Sequence, residues 1–200
     1  MKKVFSKYLF SVKIQNTPNP SFLKFIPGKK ILKENQTIDF PSPKTAENSS
    51  LAKKLFEVKG VGRILIGSDY ISIGKKDEKL WEDIKPQIVE LLNDYFEKTE
   101  NIEHFPESQQ SEILDNDSET LSLIKEIISN RIRPVIQEDG GDIKLVNFDE
   151  NSGIVRISLK GSCSNCPSST ITLKNGIEKM LMHYVPQVNE VESIDDEEEY

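Results

Sequence analysis

Cysteine occurs only at positions 163 and 166 of the 200 residues, histidine twice and tryptophan once. Two cysteines this close together form no disulfide framework for a secreted fold, and they favour a reducing compartment. No apolar run approaches the roughly 18 residues that a membrane-spanning helix needs. Positive charge is also scarce: 26 Lys and Arg stand against 33 Asp and Glu, a net charge of −7. That balance argues against nucleic acid or an anionic membrane as partner. Acids are missing from Met1 to Ser11, and the first in the chain is Glu34. Lys2, Lys3 and Lys7 among Phe5, Tyr8, Leu9 and Phe10 fit a short organellar presequence, although arginine is lacking. They fit equally well a ragged terminus leading into a first strand. No internal repeat is present.

What is there, 36% hydrophobic and 30% charged residues, describes a soluble globular protein of one large or two small domains. Residues 12–97 are predicted to form a first α+β domain. Strands are expected at Val12–Asn16, Phe22–Ile26 and Ile31–Phe40, punctuated by Thr17-Pro18-Asn19-Pro20 and Pro27-Gly28. A short helix over Leu51–Val58 has Ser49 or Ser50 as its cap. A hairpin pairs Ile64–Ile66 with Tyr70–Ile73. A long helix then carries Trp81, Ile84, Ile88, Leu91, Leu92, Tyr95 and Phe96 on one face, with Pro86 tolerable only near its first turn.

Residues 98–118 are polar, acidic and without apolar period, and so read as a flexible linker. A segment of roughly 20 residues spans about 25 Å on average. A second α+β domain is expected over 119–192. Its helix carries Leu121, Ile124, Ile128, Ile132 and Val135, and is ended by Pro134 and Asp139-Gly140-Gly141. A hairpin, a cysteine loop, another helix (Ile171, Leu173, Ile177, Met180, Leu181, Tyr184) and an edge strand around Val188 and Val191 follow. Residues 193–200 form an acidic, solvated tail.

The loop Gly161-Ser162-Cys163-Ser164-Asn165-Cys166-Pro167 lies between a strand and a helix start, where the dipole favours thiolates. The two-residue gap lets both sulfurs face one point. Zinc or an iron–sulfur cluster wants four ligands. The chain has no further cysteine, and His104 falls in the linker. His183 lies over ~20 Å along its own helix from the thiols, at about 1.5 Å rise per residue. A metal or cluster here therefore needs two thiolates from each of two chains. Spacing alone leaves three readings open: metal or cluster, dithiol redox chemistry, and a structural pair. An antiparallel hairpin before the loop, rather than a βαβ strand, weighs against redox. Gly140-Gly141 is read as a helix stop, Asp139 and Asp142 as solvated turn acids, Trp81 as core, and Pro167 as a helix start that also shields a bound cluster from water.

The stretch Gly161–Ser169, continuing into Thr170-Ile171-Thr172-Leu173-Lys174-Asn175-Gly176-Ile177-Glu178, resembles the core of Nfu proteins, which share the C-terminal domain of the NifU iron–sulfur scaffold. Arg131-Ile132-Arg133-Pro134 and Gln137-Glu138-Asp139-Gly140-Gly141-Asp142 resemble the family's upstream segment. Thr17-Pro18-Asn19-Pro20, Leu23-Lys24-Phe25 and Pro27-Gly28 resemble its separate N-terminal domain. The resemblance implies a non-enzymatic carrier of a [4Fe–4S] cluster, with [2Fe–2S] as the variant. Cys163 and Cys166 would be the cofactor-binding and metal ligands, shared across a cluster-dependent homodimer. It implies upstream assembly proteins as donors, and lipoate synthase, aconitase or respiratory-complex subunits as clients. The expected location is the mitochondrial matrix, or the cytoplasm of a bacterium. The rivals are a dithiol–disulfide oxidoreductase and a structural zinc shared between chains.

Overall fold

The computed structural model describes residues 12–98, 117–164 and 167–194, the side chains of 167–170 excepted. The expectations for Met1–Ser11, for linker residues 99–116, for Cys166 and for the tail beyond 194 lie outside these. The chain divides into two units, Met1–Phe105 and Pro106–Tyr200, each α+β.

In the first unit five strands form an antiparallel sheet: β1 (Lys13–Asn16), β2 (Phe22–Ile26), β3 (Ile38–Phe40), β4 (Val61–Ile66) and β5 (Ile71–Lys75), in the order β1-β2-β5-β4-β3. Alternation along the strands puts Leu23, Phe25, Ile64, Ile66, Ile71 and Ile73 into one core. Helices α1 (Ser50–Glu57) and α2 (Trp81–Lys98) cover it with Leu51, Leu55, Ile84, Ile88 and Leu92. Trp81 sits at the margin of this core, only partly buried, and its indole N–H donates to the Pro20 carbonyl (3.1 Å).

Two expectations for this unit need correction. The third strand is only Ile38–Phe40, because Ile31 and Leu32 donate their N–H groups to Ser68 O at the β4–β5 turn. Asn35, at φ 61°, then turns the chain before the strand begins. Pro86 lies inside α2, beyond its first turn. The helix continues past it, and nearby Gln87 Nε2 donates to the Asp83 carbonyl (2.8 Å).

In the second unit α3 (Glu119–Ile127), a π-helical turn (Ile128–Ile132) and α4 (Arg133–Glu138) follow one another without a break. Pro134 therefore does not end the helix. It follows the π turn, in which Arg133 N–H reaches back five residues to Ile128 O. Residues four apart on an α-helix drift about 40° per step, and the wider π turn takes that drift back. Ile124, Ile128, Ile132 and Ile136 consequently share the core, while Val135, expected inside, is 58% exposed.

Strands β6 (Gly141–Asp149), β7 (Ile154–Gly161) and β8 (Glu190–Ser193) form the second sheet, with β7 in the centre. Helix α5 (Pro167–Tyr184) connects β7 to β8, which pair in parallel. The cysteine loop therefore follows a hairpin and also opens a βαβ crossover. The expectation that it lies outside such a unit is corrected, and with it the weight this gave against redox chemistry.

Candidate functional site

The loop is shaped by small residues. Gly161 closes β7 at φ 61°, a conformation that glycine adopts without strain. The next residues form a tight turn: Cys163 N–H donates to Lys160 O (3.3 Å) and Ser164 N–H to Gly161 O (3.2 Å). Ser164 Oγ also donates to Gly161 O (2.7 Å). Ser162 ties this turn to the end of α4. Its hydroxyl donates to Asp139 O (2.6 Å) and its N–H to Gly140 O (3.3 Å).

Cys163 is 8% exposed, and its sulfur faces Gly141 at the start of β6. A Cβ built on Gly141 would overlap Cys163 Sγ and stand 3.0 Å from Lys160 O. The two glycines thus have separate tasks. Gly140, at φ 78°, turns the chain out of the helix, and Gly141 makes room for the thiol. The helix-stop reading covers only the first.

Asp142, expected to be a solvated turn acid, is 3% exposed. It accepts from Arg133 Nε (3.1 Å) and from Ile143 N–H (2.8 Å). Arg133 also donates to Ile143 O (3.0 Å), so the pair locks the end of α4 to the start of β6. Asp139 is exposed, as the turn reading has it. His183 is exposed and stacks edge-on against Tyr184, 4.8 Å between ring centres. Among the described residues no group of three or more His, Cys, Asp or Glu could hold a metal ion.

Family models match both units. That for the "Scaffold protein Nfu/NifU N terminal" matches residues 12–99, and that for the "NifU-like domain" matches 124–192. A relative from Drosophila willistoni, named "NFU1 iron-sulfur cluster scaffold homolog, mitochondrial", is 44% identical over 195 residues, 97% of this chain and 67% of the relative. The chain belongs to the Nfu/NifU family. The like-named protein of Drosophila persimilis is 45% identical over 93% of this chain and 66% of its own length. This chain thus spans about two thirds of the length of these curated relatives. A solved NifU-like protein from Saccharomyces cerevisiae is 28% identical, covering 51% of this chain and 91% of that one, at a TM-score of 0.43.

Within this Nfu/NifU chain, the two candidate ligands differ in what is described. Cys163 is placed as above, and Cys166 lies outside the described residues. Sequence reading missed the Gly141–Cys163 contact and the Arg133–Asp142 pair. The signal for the second was available: an acid right after Gly-Gly and an arginine nine residues earlier, in a stretch otherwise reading as core.

Proposed function

We propose that this chain carries an iron–sulfur cluster as cargo, on Cys163 and Cys166, and hands it to apoproteins without catalysing a reaction of its own. One observation carries this reading. A chain with only two cysteines holds the described one buried in a tight loop against a glycine, in a family whose relatives are named iron–sulfur cluster scaffolds. Two thiolates fill half of a four-ligand set, so a [4Fe–4S] cluster is shared by two protomers, each supplying its pair.

Hand-over is ligand exchange. Client thiols lose their protons as they bind iron, this chain's thiolates regain protons as they leave, and no electron need move. Donor proteins upstream and client enzymes such as lipoate synthase or aconitase complete the route. The relatives' names support a mitochondrial location, and the matrix is the compartment we propose.

The test is anaerobic reconstitution with iron and sulfide. A brown species absorbing at about 400 nm, with about two irons per chain and the mass of a dimer, is expected. Cys163→Ser and Cys166→Ser should each abolish it while the far-ultraviolet spectrum stays native. The rival dithiol reading gains from the βαβ placement of the loop. A colourless monomer that reduces insulin disulfides would establish it instead.

A further inference from the structure

The apolar stripes on the long helices of the second unit are wider than the core they build. Val135, Ile171 and Met180 are 58%, 63% and 36% exposed. Val135 and Met180 border a groove of about 370 Å³ between α4 and α5, whose walls include Ile132, Ile136, Leu173 and Ile177. Gly176 opens onto the same groove. It lies in mid-helix, its backbone is not left-handed, and nothing stands within 4 Å of where its Cβ would be. Glycine is a poor residue for a helix interior, and no close contact among the described residues requires it there. A backbone left bare towards open space suits close approach from outside.

Two further features say what approaches. The groove carries Arg131 and Asp139, both exposed and of opposite charge. They lie eight residues apart, about 12 Å along the helix. A surface with opposite charges at its two ends matches itself under a two-fold axis, each arginine meeting the other copy's aspartate. The groove also adjoins the cysteine loop, since the Asp139 carbonyl accepts the Ser162 hydroxyl (2.6 Å).

We propose that this groove is the surface on which a second copy of the chain seals when a cluster is shared, with Arg131 of each copy against Asp139 of the other. This rests on the carrier reading, in which one chain's thiols leave the ligand set half filled.

The test loads the full chain anaerobically and follows dimer dissociation by sedimentation. Val135→Glu adds a charge at a side chain that is already exposed, and Asp139→Arg sets two arginines face to face. Each is expected to raise the concentration for half-dissociation at least tenfold, with the unliganded protein's circular dichroism unchanged. The double swap Arg131→Asp/Asp139→Arg is expected to recover most of the loss. Single variants that dimerise at the wild-type concentration overturn the proposal, and slower transfer to an apoprotein would then assign the groove to the client. A double swap as weak as Asp139→Arg overturns the two-fold pairing. A wild type that takes up no cluster, or takes it up as a monomer, refutes the carrier reading itself and this proposal with it.

Discussion

Gly141 and Cys163 claim the same space: a single methyl group on the glycine would overlap the cysteine sulfur. Gly141→Ala must therefore push the thiol out of its seat or move β6. Overpacking of this kind costs about 1–3 kcal/mol. Gly140→Ala should cost about 1–2 kcal/mol for a different reason, the left-handed backbone at φ 78°. Thiol accessibility separates the two. In a Cys166→Ser background, Gly141→Ala should speed alkylation of Cys163 well beyond what Gly140→Ala does. Equal rates in both variants would mean that the glycine does not seat the sulfur.

Arg133 and Asp142 make the second hinge of the site, with side chains only 9% and 4% exposed. Arg133→Met would strand a buried carboxylate, at about 3–5 kcal/mol. Arg133→Met/Asp142→Leu, which removes both charges, should regain a large part of that in urea unfolding. A double variant as unstable as the single one would show that the backbone bonds to Ile143, and not the charge pairing, dominate.

Much of the fold is legible in the residues alone. The face of α2 reads directly from its spacing, because Ile84, Ile88, Leu92, Tyr95 and Phe96 obey the helical period and all are buried. The cysteine loop is equally plain, since glycine, serine and proline next to a strand leave few alternatives. What escapes lies outside the regular periods of helix and strand. Val135 turns outward because a π turn intervenes, and Asp142 goes inside because an arginine nine residues away pairs with it. Ile31 and Leu32 are core residues without being strand residues, held by Ser68 of a distant turn. The parallel pairing of β8 is invisible in four residues of edge strand.

Helix starts offer a clean measure of local energetics. Ser49 Oγ accepts from Ala52 N–H (3.0 Å) and Ser118 Oγ from Leu121 N–H (3.2 Å). Each serine satisfies a donor that its helix leaves without an internal partner. Ser49→Ala and Ser118→Ala should each cost about 1 kcal/mol. Ser49 is 1% exposed, so its loss should be the larger. Chemical denaturation of the two variants checks the order, and a costlier Ser118→Ala would contradict it.

Asp149 closes the β6–β7 turn and titrates below the ordinary carboxylate range, first through the Ser152 hydroxyl (2.8 Å) and then through Asn151 N–H (3.0 Å). Both donors favour the charged form. Their contribution to stability is thus fully present above the unfolded carboxyl's pKa of about 3.9, and it fades as pH falls through the lower folded value. Ser152→Ala removes the larger of the two causes and should move the folded pKa up towards the ordinary one. The turn itself should persist, because Gly153 N–H still donates to Asp149 O (2.8 Å) and Asn189 still donates to the Ser152 carbonyl (2.9 Å). The stability gap between wild type and variant should therefore be widest near neutrality and shrink as pH falls below the unfolded carboxyl's pKa and through the lower folded one. Carbon-13 titration of the Asp149 carboxyl, with urea midpoints at both ends of that range, tests this directly. An unmoved carboxyl, or a gap that widens in acid, would show that the serine hydroxyl does not hold the charge.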